Sequence, residues 1–151
     1  MRKSCLFSYG ITLQDSGDVT MFPAVEVCFQ HNKGWVPAFL LIDSGATISA
    51  LPKSDALVLG VVAEQGTHMA VKGIGGAPVS GWRHNIRVKL GENILKIPIV
   101  FLDDSQAPRV LGRAGIFEKF LIVFEESKNR TGLLAKHTKE ARIVSGVLDK
   151  I

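Results

Sequence analysis

One acid in this chain is placed where proton-transfer chemistry can be done. Asp43 closes the apolar run Phe39-Leu40-Leu41-Ile42 and is followed at once by Ser44, Gly45 and Ala46. A run of that kind is the pattern of a buried strand, which puts Asp43 at the floor of a pocket and not on an open surface. A lone buried carboxylate is costly and needs a reason. Taken alone, Asp-Ser-Gly also fits a helix cap or an ordinary turn. The chain supplies its own comparison, because Asp15-Ser16-Gly17 repeats the tripeptide inside the polar run 14–18 and reads as a surface turn. What sets Asp43 apart is its hydrophobic approach and the Ala46-Thr47-Ile48-Ser49-Ala50-Leu51-Pro52 that follows.

Two more stretches have chemical interest. Lys72-Gly73-Ile74-Gly75-Gly76-Ala77 lies between two β-type segments and reads as a hairpin tip, with glycines that allow positive φ and Ile74 as an apolar residue on a mobile arm. A phosphate loop would need a following Lys-Ser or Lys-Thr and a helix, and neither is present; a plain flexible turn stands beside the flap reading. Arg109-Val110-Leu111-Gly112-Arg113 runs an apolar pair into Gly-Arg, which alone is a strand-to-helix junction with a solvated Arg113. Other catalytic chemistry is poorly supplied. No Gly-x-Ser-x-Gly occurs, and His31, His68, His84 and His137 stand singly without metal-ligand spacing, so structural or surface roles and no metal or cofactor are expected. Asp103-Asp104 follows the apolar run 97–102 as the internal rival to Asp43, but Ser105-Gln106 replaces the glycine. Trp35 and Trp82 read as core or cleft-wall residues, Trp82 having the better claim to touching a substrate.

These stretches need strands to position them. At 151 residues, 46% hydrophobic and 21% charged, the chain can bury a core as one domain. Strands are expected at 23–30 and 35–42, joined through His31-Asn32-Lys33-Gly34 into a hairpin that delivers Asp43, and at 67–72, 79–90, 94–102, 120–125 and 132–135. A short helix is expected within 54–62, with Leu57 and Val58 inward and Gly60 stopping it, and a second over 113–119 with Ile116 and Phe117 as apolar members. The class is mostly β with one or two short helices. The net charge of +4 is spread, without a basic block interleaved with aromatics, so no nucleic-acid partner is implied. Cys5 and Cys28 lack any framework spacing, so reduced thiols in a cytoplasmic setting are the default. Met1-Arg2-Lys3 precedes too short an apolar core for a signal peptide, and no segment has membrane-spanning length.

In combination, the apolar strand ending in Asp-Ser-Gly-Ala, the Gly-Ile-Gly-Gly tip and the Leu-Gly-Arg before an amphipathic stretch occur in the order of the retropepsin-like aspartic proteases. The chain resembles that family over most of its length, 19–134, and is more similar to its small bacterial members than to viral ones. The resemblance implies a closed β-barrel-like fold with one lobe, one catalytic aspartate and one flap per chain. Position by position, Asp43 matches the catalytic aspartate, Ser44 the residue whose hydroxyl grips the opposite subunit, and Gly45 the glycine that lets substrate backbone pass. Ile74 matches the flap tip, Gly73, Gly75 and Gly76 the flap glycines, and Gly112 and Arg113 the Gly-Arg before the helix. Viral members carry an acid where this chain has Thr47, paired with the arginine equivalent to Arg113, so that ion pair cannot form here.

Two close carboxylates cannot both ionise, so they share a proton and divide the roles of general base and general acid. Only Asp43 has the right context, which implies a symmetric homodimer acting on an extended peptide or protein. The resemblance thus implies an aspartic endopeptidase; a catalytically inactive dimerisation or peptide-binding module is the alternative. Ala46 stands where pepsin-like enzymes usually carry a hydroxyl that bonds the carboxylate, and losing that donor implies an only mildly acidic optimum. The expected organisation is an N-terminal segment 1–18, the protease-like domain 19–135 and a tail 136–151. Either terminus, 1–11 or 142–151, is a candidate interface strand, and a frayed tail is the competing expectation.

Overall fold

Alternating apolar and polar residues build the strands that carry the molecule. The computed structural model describes residues 1–32, 34–73 and 76–151. In chain order the strands are β1 (Cys5–Ser8), β2 (Gly10–Leu13), β3 (Val19–Phe22), β4 (Ala24–His31), β5 (Gly34–Ile42) and β6 (Ser49–Pro52). Helix α1 (Lys53–Val58) precedes β7 (Thr67–Val71), β8 (Val79–Leu90), β9 (Asn93–Leu102), β10 (Val110–Leu111), β11 (Phe120–Glu125) and β12 (Arg130–Ala135), and α2 (Lys139–Leu148) ends the fold. In β4, Val25, Val27 and Phe29 point to the core and Glu26 to solvent, the period-2 pattern of a half-buried strand. β9 is buried on both sides at its end, with Ile97, Ile99 and Phe101 in the main core and Val100 and Leu102 in a smaller second cluster.

The main sheet runs β4-β5-β10-β6-β9-β8-β7, and β4 also pairs with β8 through Cys28 opposite Lys89 and Phe29 opposite Val88. Six strands therefore close into a barrel, with β7 added outside on β8. Closure removes the edges that an open sheet would leave unpaired. Pro37 is tolerated in β5 because β10 reaches only Leu41 and Ile42, which leaves the flank at Pro37 free of a ladder. A second sheet, β1-β12-β11, ties the N-terminal strand to β12 through Cys5 opposite Leu133.

Several expectations change. Helix α1 starts one residue earlier than expected and, as expected, ends before Gly60, which has φ +68. Its inward residue, however, is Ala56, with Leu59 buried just past its end, while Leu57 and Val58 are exposed. The stretch 113–119 is not a helix: Gly115 has φ +83, outside right-handed helical space, and the stretch instead forms successive turns closed by Phe117 N–H to Arg113 O and Phe120 N–H to Ile116 O. The C-terminal tail is not an interface strand but helix α2, capped where the Thr138 hydroxyl accepts from the Ala141 N–H. The boundary expected after residue 18 falls within a hairpin, because β2 pairs with β3. Asp15-Ser16-Gly17 forms its turn, with Gly17 at φ +86.

Both thiols are free. Burial pushes Cys5 up to about 11, so it is protonated and unreactive at neutral pH. Tyr9 is raised too, by burial first and then by its hydrogen bond to Glu126. The folded chain holds the Cys5 proton more tightly than the unfolded chain, so stability is intact below the ordinary thiol value of 9.0 and lost as pH rises toward 11. The decline from Cys5 should be about 1–2 kcal/mol, allowing for partial exposure of the sulfur. Thermal melts across that range should show it, and Cys5→Ala should flatten it.

Candidate active site

The acid-bearing turn is built from backbone bonds that leave little freedom at Asp43. β5 ends at Ile42, and the Asp43 N–H donates to Leu111 O at 3.1 Å. The Gly45 N–H donates to Asp43 Oδ1 at 2.8 Å, and the Ala46 N–H to Asp43 O at 3.3 Å. Such an Asx-type turn fixes the carboxylate against its own backbone. Asp43 is half-buried at the barrel rim, and Ser44 and Gly45 are exposed. The sequence suggested a pocket floor; in the single chain the acid sits at an open rim, because the apolar strand stops one residue before it. The Ser44 hydroxyl makes no hydrogen bond among the described residues.

The later strand β10 then threads between the two strands that flank this turn. Val110 and Leu111 run parallel to Leu41 and Ile42 of β5, and Val110 lies antiparallel to Ala50 of β6. Just beyond, the chain passes so close under the turn that a Cβ on Gly112 would stand 2.5 Å from Ile48 O and 2.8 Å from Ser49 N, and closer still to the Ile48 carbonyl carbon. Only glycine fits there. The Arg113 N–H donates to Ala46 O and the Ala114 N–H to Thr47 O, both at 2.9 Å. Gly112 and Arg113 are thus joined to the Asp43 turn by main chain. The Arg113 side chain is exposed and in no ion pair among the described residues, which agrees with Thr47 offering it no acid.

Ser49 escaped the sequence analysis as a site residue. It is fully buried, and its hydroxyl accepts from the Gly112 N–H at 3.0 Å. A single hydroxyl inside Ile48-Ser49-Ala50-Leu51 was the available signal, since a buried polar group needs a partner. Ser49→Ala should leave the Gly112 N–H unsatisfied and lower stability by about 1–3 kcal/mol, measurable by urea unfolding. A second unforeseen tie joins Asp55 of α1 to Arg109 ahead of β10, with Arg109 Nε and Nη2 at 2.7 and 2.8 Å from the two carboxylate oxygens.

Above the turn stands the β7–β8 hairpin, in which Val71 pairs with Val79. Gly73 and Gly76 are exposed at its end, and Gly76 has φ +127, a conformation that favours glycine. Ile74 and Gly75 lie outside the described residues. Met69, Val71 and Val79, on the tip-side half of the hairpin, and Ala46 and Ile48 of the turn all pack against one buried cluster of Ala50, Val100, Leu102, Ala107 and Val110. Gly81 makes that contact possible, since a Cβ there would lie 2.7 Å from Val100 Cγ2. The Asp43 turn and the hairpin therefore share one apolar wall.

Trp82 is not part of that wall. It alternates to the other face of β8, packs on the main core, meets His68 edge-on and carries the Lys53 ammonium 4.8 Å over its ring. Trp35 is partly exposed at the start of β5, the opposite end from Asp43. His84 bonds Ala63 O at 2.8 Å through Nε2. Among the described residues, no three His, Cys, Asp or Glu are grouped to hold a metal. Asp103 is an exposed loop acid 3.7 Å from Lys53, and so an ion-pair partner instead of a second floor acid. Two cavities of about 370 and 410 Å³ flank α1, and neither is lined by Asp43.

A closed barrel whose acid-bearing turn is threaded by a later strand is the fold of a retropepsin-like protein. The chain belongs to the aspartyl protease family, whose model matches residues 25–114. Among solved structures it is similar to a retropepsin-like aspartic protease from Rickettsia conorii, with a TM-score of 0.59 and 17% identity over 88% of this chain and 100% of that one. It is also similar to EIAV protease, solved in complex with the inhibitor HBY-793, with a TM-score of 0.43 and 23% identity over 61% of this chain and 82% of that one. No match was found among curated proteins. At 17% identity the likeness to the Rickettsia enzyme is one of fold.

Proposed function

We propose that the chain is an aspartic endopeptidase whose active unit is a homodimer, with Asp43 of each copy forming one dyad. The observation that carries this is Asp43, half-buried at the end of β5 with the Gly45 N–H on its carboxylate and the Gly112–Arg113 main chain bonded beneath its turn, beside an exposed Ser44 able to bond a partner's backbone. One Asp43 carboxylate takes a proton from water as the water oxygen bonds to the scissile carbonyl carbon; the other, protonated, gives its proton to the carbonyl oxygen. In the collapse of the resulting diol the carboxylate left ionised takes a proton from one diol hydroxyl as the C=O bond re-forms, the C–N bond breaks, and the other carboxyl gives its proton to the leaving nitrogen. Neither an acyl-enzyme nor a metal takes part. Substrate lies extended beneath flaps formed by the β7–β8 hairpins, with Gly73 and Gly76 near its backbone, and flap opening gates its passage. The apolar wall of Ala46, Ile48, Val71 and Val79 fits an apolar side chain. Two free thiols fit a reducing, cytoplasmic setting, and no helix among the described residues is long and apolar enough to cross a membrane.

A mixed peptide library incubated with the chain from acidic to neutral pH, read by mass spectrometry, tests this. Cleavage with a mildly acidic optimum is expected; binding without cleavage at any pH would make the chain a peptide-binding module instead.

A further inference from the structure

β2 and β3 form a sheet of their own, apart from the barrel. Their register sets Ile11 opposite Met21 and Leu13 opposite Val19, so four apolar side chains share one face. They are 65, 41, 73 and 58% exposed. On the other face Thr12 opposes Thr20, and the Phe22 ring lies against Gly10, 3.1 Å from where a Cβ would stand. Both feet of this arm are fastened: the Tyr9 N–H donates to Asn129 O at 2.8 Å, and Pro23 O accepts from the Ile42 N–H at 3.0 Å. The second foot is therefore one residue from Asp43.

A two-stranded hairpin is marginal by itself, and a bare apolar ribbon on a firmly held arm is a contact surface. We propose that the β2–β3 arm clasps a second copy of this chain beside Asp43, burying Ile11, Leu13, Val19 and Met21 against it. Charge favours that occupant. The arm carries Asp15 and Asp18 and no basic residue on a chain of net charge +4, and neither acid is in an ion pair among the described residues. An acidic tip on a basic molecule attracts another copy and is repelled by an anionic membrane. The proposal rests on the reading that two copies meet at Asp43, and adds the surface that holds them.

The test compares the chain with a variant carrying Ile11→Thr, Leu13→Thr, Val19→Thr and Met21→Thr, which keeps β propensity and removes the apolar face. Both are measured by sedimentation equilibrium in an Asp43→Asn background to prevent self-digestion, with circular dichroism and melting to check the fold. The dimer constant should weaken about tenfold or more. In the Asp43 background, activity per chain should fall at low concentration and recover as concentration passes the new constant. An unchanged constant, a chain monomeric throughout, or a variant that raises only KM for peptide would overturn the clasp. Adding anionic vesicles should leave both forms unbound; arm-dependent vesicle binding would also overturn it. A dimer that needs the arm but cleaves nothing keeps the clasp and removes the protease reading; an active dimer indifferent to the arm does the reverse.

Discussion

Asp43→Asn should reduce peptide hydrolysis by at least about 10³-fold while leaving the fold unchanged, because in the proposed homodimer it removes the proton-transfer group from both halves of the dyad at once. The substitution is nearly isosteric, and its amide oxygen can still accept from the Gly45 N–H that bonds Oδ1 at 2.8 Å. The Leu111 and Ala46 contacts at this position are main chain and survive. Melting temperature should therefore hardly move while turnover disappears. Residual activity near the original level would place the chemistry elsewhere.

Gly112→Ala should have the largest effect on stability. A Cβ at that position meets backbone of the Asp43–Ser49 segment, not the end of a flexible side chain. Relief requires moving β10 away from the turn, which breaks the Arg113 and Ala114 bonds to Ala46 and Thr47 and the Gly112 bond to Ser49. A cost of about 3–5 kcal/mol is expected, a large share of the roughly 5–15 kcal/mol that holds a domain folded. At this size that corresponds to a melting temperature lower by about 10 °C or more. Gly132→Ala in β12 is the control, since its added Cβ would find Leu134 Cδ2 at an ordinary 3.8 Å. Equal tolerance of the two would contradict the threaded arrangement.

Where a strand has one wet and one dry face, its bounds were legible. The expected 79–90 and 120–125 are β8 and β11 to the residue: alternation runs to the end of β8, and β11 is a continuous apolar run, Phe120 to Phe124, closed by Glu125. β10 is two residues long and owes its place to β5 and β6 on either side, so no local period announces it. The arm misled in another way: Ile11, Leu13, Val19 and Met21 alternate properly but face solvent, and the polar turn between them resembled the start of a domain. In 113–119 the apolar spacing of Ile116 and Phe117 suits a helix, and the positive φ of Gly115 overrides it. Asp43, Gly45, Gly112 and Arg113 stood out in the sequence as members of short motifs, and the structure joins Gly112 and Arg113 to the Asp43 turn through their main-chain N–H groups. Ser49 and the Asp55–Arg109 pair did not stand out, since their partners lie 63 and 54 residues away in sequence.

A shared dyad has a signature that a self-contained site lacks. Active chain is mixed with its Asp43→Asn version at fixed total concentration above the dimer constant, and peptide cleavage is followed as the active fraction falls. If each site needs Asp43 from two copies, activity follows the square of that fraction, so an equal mixture retains about a quarter of the rate. Activity that falls in simple proportion, to about half in the equal mixture, would show that each chain carries a complete site and would contradict the homodimeric dyad.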